Sequence, residues 1–318
     1  MRTYILRRLL ALVPTLFIAS VIVFVTVRLI PGDVIDLMLS QNDLTASSRT
    51  REQLIAALGL DKPMWEQYLH WISRIVFHGD MGTSLWRGTP VTQQLLERVP
   101  VTFELGAIAL LVGLAIALPI GVYSAIRQDT TGDYVARSFS IVLLAIPSFW
   151  LGTMVMVFPS IWWGWSPSVE YVPFTESPAK NLHQLIVPGV VLGAALSAIT
   201  MRMTRTMMLE VLRQDYIRTA WAKGLNERLV IVRHALRNAL IPVITLVGLQ
   251  VPLLIGGAVI IEQIFVIPGM GLLMLEAVQQ RDYPVVTGVF LMVGVVVLMV
   301  NLVVDLTYGL LDPKVRMR

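Results

Sequence analysis

Charged residues divide this sequence into long apolar stretches. A bilayer core about 30 Å thick is crossed by about 20 apolar residues in a helix. The stretches of this length without Asp, Glu, Lys or Arg hold 19 residues between Arg8 and Arg28, 22 between Glu104 and Arg127, 32 between Arg137 and Glu170, 21 between Lys180 and Arg202, 24 between Arg237 and Glu262, and 22 between Asp282 and Asp305. This pattern predicts an all-α integral membrane protein with six transmembrane helices and both termini on one side.

Two apolar stretches need a separate interpretation. The first follows three arginines, as a signal peptide does, but it is longer than the usual run of about 7–15 residues and lacks a clear cleavage site, which favours an uncleaved signal anchor. The stretch 263–275 is too short to cross the membrane and contains Pro268 and Gly269. It predicts a turn and a short interfacial or re-entrant helix.

The segments between the spans suggest three regions. Residues 1–30 form the first transmembrane helix, residues 31–103 a small lobe outside the membrane, and residues 104–318 a core with five further helices. Within the lobe, 51–58 and 64–76 have apolar residues at helical spacing. Because His70 and His78 have no partner at metal-ligand spacing, no metal site is predicted.

The distribution of Lys and Arg predicts the orientation. With the N-terminus in the cytoplasm, 16 basic and 7 acidic residues lie inside, against 9 basic and 14 acidic residues outside. Cytoplasmic segments are normally the richer in Lys and Arg. Trp162, Trp163 and Trp165 then close the third span at the outer interface, where aromatic residues are enriched. We therefore expect both termini in the cytoplasm.

Composition excludes several other classes of protein. Hydrophobic residues make up 56% of the chain and charged residues only 14%, whereas soluble domains carry about 25% charged residues. The absence of cysteine excludes disulfides, thiolate metal sites and cysteine nucleophiles. The net charge of +4 hints at an anionic partner, but the segment from Arg202 to Arg237 alone contributes +5. The basicity is therefore local, and no nucleic-acid partner is needed to explain it.

Residues 207–238, which contain most of these basic side chains, form a longer segment than a connection between spans requires. Its apolar residues follow helical spacing from Val211 to Trp221, Gly224 is placed to end this helix, and a second helical stretch runs from Glu227 to Leu240. Topology alone explains the charge of the segment but not its length. The pattern favours a docking surface for a partner protein.

The same segment resembles the cytoplasmic coupling loop, or EAA loop, of ABC-transporter permeases. The resemblance is closest to the dipeptide, oligopeptide and nickel importers, although Arg218 and Thr219 stand where the general pattern has Glu and Ala. It rests on Asp215 to Leu225, His234 to Pro242, Pro31-Gly32-Asp33, Leu58 to Pro63, Arg98 to Thr102, Gly256 to Glu262, Pro268-Gly269, Arg281 to Pro284, and Asn301, Asp305, Tyr308 and Asp312-Pro313.

The resemblance implies the B-type permease subunit of such an importer, with the transmembrane architecture of type I importers. Such a subunit lies in the inner membrane of a bacterial or archaeal cell and forms half of the pathway for peptides or a similar small solute. It works with a homologous second permease as a heterodimer, two cytoplasmic ATPase subunits and an extracytoplasmic solute-binding protein. The chain has no G-x-x-x-x-G-K-[ST] motif. We therefore expect a non-catalytic subunit that binds no cofactor, with ATP and magnesium on its partners.

Two sets of candidate site residues follow. For coupling to the ATPase, the resemblance points to Asp215, Tyr216, Arg218, Thr219, Ala220, Trp221, Lys223, Gly224 and Leu225, with Tyr216, Ala220, Trp221 and Leu225 as apolar contacts. Polar residues within spans are costly and usually face protein or a cavity. The translocation-pathway candidates of this kind are Ser148, Ser197, Thr200, Thr245, Gln250, Glu262 and Asn301. For the hydroxyl residues, bonding to the backbone of their own helix is the alternative role.

An ion-coupled secondary transporter or a channel subunit is the competing interpretation. A proton-coupled carrier needs ionisable residues near mid-membrane, and the six predicted spans contain no Asp, Glu, Lys or Arg there. The resemblance leaves the cargo open among dipeptides, oligopeptides, nickel chelates, glutathione and oligosaccharides.

Overall fold

The computed structural model describes residues 2–29, 61–166 and 171–311. Within these ranges the regular structure is helical, apart from an isolated antiparallel bridge between Thr83 and Pro90. The helices are α1 (Arg2–Arg28), α2 (Met64–His78), α3 (Val91–Ile126), α4 (Thr131–Ala145), α5 (Ser148–Trp163), α6 (Pro178–Leu212), α7 (Asp215–Ala222), α8 (Glu227–Leu229), a π-helix (Val230–Leu236), α9 (Arg237–Phe265), α10 (Met270–Gln279) and α11 (Tyr283–Leu311).

Five of the six predicted spans are long apolar helices, located in α1, α3, α6, α9 and α11. The predicted third span, between Arg137 and Glu170, is not one continuous helix. Helices α4 and α5 together cover that stretch and meet at an angle of 93°. Pro147 explains the break, since proline has no N–H and restricts the residue before it to extended backbone. Ile146 accordingly has φ −83° and ψ 120°. The six-span prediction is thus met by five continuous helices and one bent pair.

Other boundaries also differ from the sequence pattern. Helix α3 begins at Val91, well before Glu104, so its first turns lie in the stretch assigned to the lobe. The helix predicted over 64–76 is confirmed as α2, and the short helix after Pro268-Gly269 as α10. The helix expected over 51–58 and the side chain of Asp305 lie outside the described residues.

The described chain forms two compact units. The larger is built on Pro100–Leu272, and its core is an apolar cluster shared by α3, α6 and α9. Close packing depends on Gly193, because a Cβ there would lie 2.4 Å from the carbonyl oxygen of Ala109. Small residues allow helix backbones to approach in this way. The buried cluster contains Val101, Leu105, Ala109, Leu185, Val191, Leu192, Leu196, Leu254, Ala258, Ile261, Phe265 and Ile267.

The smaller unit combines most of α1 with α2 and Leu273–Val296. Aromatic rings join the two helices: Phe24 lies 5.5 Å from both Tyr68 and Trp71, measured between ring centroids. The hydroxyl groups of Ser20 and Tyr68 are hydrogen-bonded at 2.8 Å. One face of α1 is therefore covered by α2.

Candidate coupling surface and translocation residues

Helix α7 is attached to the larger unit by its inward face. Ile217 is fully buried and Ala220 is 5% exposed. They belong to a second apolar cluster, separate from the core cluster of this unit, that also draws on α3, α6, the π-helix and α9. Its buried members are Ala125, Met208, Ile217, Ala220, Val230, Ala235 and Ala239. This anchoring gives a helix of eight residues a fixed position that its own length could not provide.

Two large aromatic residues flank the buried face of α7, one on each side, and remain exposed. Tyr216 and Trp221 are each 44% exposed. The Tyr216 hydroxyl accepts a hydrogen bond of 2.9 Å from the Asn238 side chain, which fixes the ring relative to the start of α9. Asp215 and Arg218 form an exposed pair at 3.4 Å. Two exposed aromatic rings with charged neighbours are thus available on α7.

Gly224 ends this surface with a turn that favours glycine. Its φ is +74°, in the left-handed region that other residues rarely adopt. Its N–H donates to the carbonyl of Trp221, and a Cβ at this position would meet nothing within 4 Å. The site is thus strained for a side chain but open in space. Lys223 is exposed beside it, and Thr219 donates to the Asp215 carbonyl of its own helix.

Two predicted contact residues have a different role in the structure. Ala220 faces the subunit interior, and Leu225 is half-buried against the same apolar cluster. Helical spacing located α7 correctly, but its buried and exposed apolar residues lie on one continuous arc, so spacing alone did not show which of them the subunit covers. Of the four expected contacts, Tyr216 and Trp221 are available to a partner.

Most of the predicted pathway hydroxyls are bonded within the subunit. Ser197 donates to the Ala194 carbonyl at 2.6 Å and Thr245 to the Ile241 carbonyl at 3.2 Å. Thr200 is fully buried and accepts from the Gln250 amide at 3.4 Å. These bonds match the structural alternative for Ser197 and Thr245. The pair Thr200–Gln250 joins α6 to α9.

Ser148 and Asn301 lie elsewhere in the larger unit. Ser148 is half-buried at the bend between α4 and α5, and Asn301 is half-buried on α11.

Glu262 is a structural anchor in this conformation rather than an exposed group at the end of α9. Its side chain is fully buried, accepts a hydrogen bond from the Thr102 hydroxyl at 2.6 Å, and accepts another from the Leu272 N–H at 3.0 Å. The same Thr102 oxygen accepts from the Met270 N–H at 2.8 Å. A carboxylate is favourable at a helix N-terminus, so Glu262 and Thr102 together hold the first turn of α10.

A buried ion pair was missed by the sequence reasoning. Arg205 of α6 and Asp133 of α4 approach to 2.7 Å, with Asp133 fully buried, and the Ser124 hydroxyl of α3 also binds this carboxylate. The signal was present as an Asp in the first turn of α4 and an Arg near the end of α6. Sequence gave no means of pairing residues that lie so far apart.

In the smaller unit, a loop after α2 is bound to the start of α11. Asp282 is 2% exposed and accepts from the Ser84 hydroxyl and the Leu85 N–H, while the Trp86 indole donates to the Gln280 carbonyl at 2.7 Å. Arg87 pairs with Glu276 at 2.7 Å. This loop is therefore well fixed.

Two further features concern chemistry. In the loop after α2, Asp80 accepts hydrogen bonds from the Arg74 guanidinium of α2 and from the Gly82 N–H, and these bonds lower the pKa of its carboxyl. No group of three or more His, Cys, Asp or Glu suited to a metal ion occurs among the described residues.

Family models match almost the full sequence. Residues 117–317 match the binding-protein-dependent transport system inner membrane component, and residues 1–106 match the N-terminal region of such membrane components. The chain belongs to this family. It is therefore a permease subunit of an ABC transporter and an integral inner-membrane protein, as the sequence predicted.

Several relatives are similar in sequence to this chain along nearly their whole length. The dipeptide transport system permease protein DppB of Escherichia coli is 39% identical over 339 residues, covering 99% of both chains. The oligopeptide transport system permease protein AppB of Bacillus subtilis is 42% identical over 318 residues, with the same coverage. A putative peptide transport system permease protein of Brucella abortus is 40% identical.

Solved structures show the same fold. A subunit of the MetNI methionine ABC transporter in an inward-facing conformation matches with a TM-score of 0.57 and 16% identity, covering 69% of this chain and 97% of that one. An amino acid ABC transporter crystallised with histidines matches with a TM-score of 0.54 and 12% identity, covering 69% and 94%. These likenesses confirm the importer membrane-subunit fold predicted from the sequence.

Proposed function

We propose that this chain forms half of the membrane pathway of an ATP-driven importer for di- or oligopeptides. The observation that carries the proposal is the full-length similarity to DppB and AppB, whose names give dipeptides and oligopeptides as cargo. A homologous second permease forms the other half, and a solute-binding protein delivers the cargo from outside. Two ATPase subunits hold ATP and magnesium.

The surface made by Tyr216, Trp221 and Gly224 is the proposed seat of the ATPase subunit. Aromatic residues dominate the energetics of protein interfaces because they bury large areas at low entropic cost. Here both rings are exposed, one on each side of the buried residues Ile217 and Ala220 that anchor the helix. A movement of the ATPase is then transmitted through a fixed helix to α6 and α9.

The orientation follows the charge distribution. The α7 surface lies in the cytoplasm, together with the exposed side chains of Arg213, Lys223 and Arg228, because basic residues accumulate on that side. The start of α3 and the end of α9 face outward. Because the natural chain has no cysteine, Lys223→Cys provides a direct check. An impermeant thiol reagent should label it only from the cytoplasmic side.

The coupling role can be tested at Gly224. Gly224→Trp adds bulk where the subunit itself leaves space and carries a backbone strain of about 1–2 kcal/mol. We expect normal insertion into the membrane, loss of most ATP-driven peptide uptake, and loss of ATPase co-purification.

Gly164→Trp is the matched control. Gly164 has φ +62° and an equally open Cβ position, but it ends α5 rather than α7. It should retain uptake in the assembled transporter. Wild-type uptake by Gly224→Trp, or an equal loss in both variants, would contradict the coupling role.

A further inference from the structure

The bend between α4 and α5 leaves backbone polar groups without partners. Pro147 has no N–H to donate to the Leu143 carbonyl. In the described part of the chain, the carbonyls of Leu144 and Ala145 and the N–H groups of Ser148 and Phe149 form no backbone hydrogen bond across the break. The bend therefore exposes both acceptors and donors. Regular pairing stops with the bond from Ile146 to Val142 and resumes with the bond from Leu151 to Pro147.

The position of the bend along the membrane normal follows from its two arms. The first turn of α4 holds Asp133, which pairs with Arg205 near the end of α6. Helix α5 packs at Gly152 against Ile261 and Ile264, in the last turns of α9. The bend thus lies between the two ends of the larger unit.

The lengths of the arms place it inside the apolar layer. At 1.5 Å per residue, α4 and α5 are each about 22–24 Å long, so neither crosses a hydrocarbon core of about 30 Å alone. The sequence carries no charge from Ser138 to Val169. The crossing therefore uses both arms, and the bend falls within the hydrocarbon layer.

The described residues leave much of this bend exposed. Leu144 is 38% exposed, Phe149 is 54% exposed, and Ala145 and Pro147 are exposed as well. An unpaired backbone group in contact with lipid costs several kcal/mol, so non-helical backbone at this depth occurs only where protein or a water-filled cavity meets it. Apart from the Ser148 hydroxyl, the side chains at the break are apolar and supply no donors.

We propose that the bend at Ala145 to Ser148 lines the water-filled part of the translocation pathway. Water supplies both donors and acceptors to the several unpaired groups at once, whereas a dry partner surface would need a matching group for each of them. This inference rests on the proposed transport function, because that function requires a wet passage between the two permeases. Of the candidate pathway residues, Ser148 is the one that this proposal places beside the water-filled passage.

Thiol labelling tests the proposal directly, since the chain contains no cysteine. Ala145→Cys and Ser148→Cys are introduced singly into the assembled transporter in membrane vesicles of both orientations. The controls are Leu111→Cys and Ile22→Cys, which replace exposed apolar residues in the unbroken helices α3 and α1. A charged, impermeant thiol reagent measures access to water, and N-ethylmaleimide measures the total reactive thiol.

We expect the bend thiols to react with the charged reagent about tenfold faster than the controls, or more, because a thiol in hydrocarbon stays protonated and unreactive. Equal rates at bend and control positions would overturn the proposal. Slow labelling in the assembled transporter but fast labelling of the isolated subunit would also overturn it, since a dry partner surface would then cover the bend.

Peptide uptake is measured in parallel on the transporter that carries the natural chain. Fast labelling without peptide uptake would count against the proposed cargo and leave the wet bend standing. Peptide uptake with slow labelling of the bend would support the proposed cargo and overturn the water-filled bend.

Discussion

Asp133 and Arg205 form a buried ion pair that joins α4 to α6. Their side chains approach to 2.7 Å, and Asp133 is fully buried while Arg205 is 19% exposed. Removing one partner leaves a buried charge without compensation, at a cost of about 3–5 kcal/mol. We therefore expect Arg205→Ala, which leaves the fully buried Asp133 carboxylate without its cationic partner, to lower the thermal unfolding midpoint of the purified subunit strongly.

A surface pair provides the control for this change. Arg87 and Glu276 also approach to 2.7 Å, but their side chains are 44% and 36% exposed. Exposed pairs contribute about 0–1 kcal/mol, so Glu276→Ala should change the midpoint little. Similar shifts for both variants would show that burial does not govern the Asp133 pair.

Gly193 sets the distance between α6 and α3. In Gly193→Ala the new Cβ would lie 2.4 Å from the Ala109 carbonyl oxygen, so the helices must separate. We expect a loss of about 1–3 kcal/mol in the free energy of unfolding, as overpacking usually causes. Denaturant titration of the purified subunit measures it.

Gly106→Ala is the matched control on α3, where a Cβ meets nothing within 4 Å. Alanine is a better helix former than glycine by up to about 1 kcal/mol, so this variant should be neutral or slightly more stable. A destabilisation by Gly106→Ala equal to that of Gly193→Ala would refute the close-packing argument.

Glu262 should control the stability of the first turn of α10. In Glu262→Ala the Thr102 hydroxyl and the Leu272 N–H lose their acceptor in a buried site, at about 1–3 kcal/mol. Hydrogen exchange at Leu272 should become faster, while exchange in the centre of α6 stays unchanged. Glu97→Ala, which removes an exposed acceptor of Gln93 on α3, should leave Leu272 protected. Unchanged protection of Leu272 in Glu262→Ala would contradict the anchoring role.

The loop after α2 should depend on pH through Asp80. The Arg74 guanidinium and the Gly82 N–H hold the pKa of this carboxyl below its usual value of about 3.9. A carboxyl with a lowered pKa in the folded state contributes stability at neutral pH. That contribution is lost as the pH falls below about 3.9 and through the folded-state pKa.

The measurement is hydrogen exchange at Gly82, expressed as the ratio of the observed to the intrinsic rate so that the chemical effect of pH cancels. The ratio should rise on acidification in the wild type and stay flat in Asp80→Asn. A flat ratio in the wild type would exclude this role for Asp80.

The sequence predicted the spans well because burial in lipid demands long uncharged runs, and charge is visible without a structure. It predicted the approximate place of α7 for a similar reason, since its spacing is helical and Gly224 ends it. It could not predict that Ala220 faces inward, because Ala220 lies on the same apolar arc of α7 as the exposed rings of Tyr216 and Trp221. Which face is covered depends on Val230 and Ala239, which fold back over it from later in the chain.

The roles of Glu262 and Pro147 show two further limits. Glu262 is buried because Thr102 and the start of α10 bring donors to it, and such long-range pairs leave no local pattern. A proline such as Pro147 indicates that a helix is disturbed, but the sequence does not show whether the result is a small bend or a complete break. In the structure the angle is 93°, and α5 packs at Gly152 against α9.

The π-helix Val230–Leu236 has a consequence for anyone who aligns or recombines these permeases. A π-turn holds about one residue more than an α-turn, so the residues before Val230 are out of angular phase with those after Leu236. A helical wheel drawn continuously from Glu227 to Phe265 and fitted to the long span therefore assigns Glu227 to Leu229 to the wrong side. A chimaera that exchanges α7 between relatives has to retain all seven residues of the π-helix, or the exchanged segment will be rotated relative to the membrane span that follows.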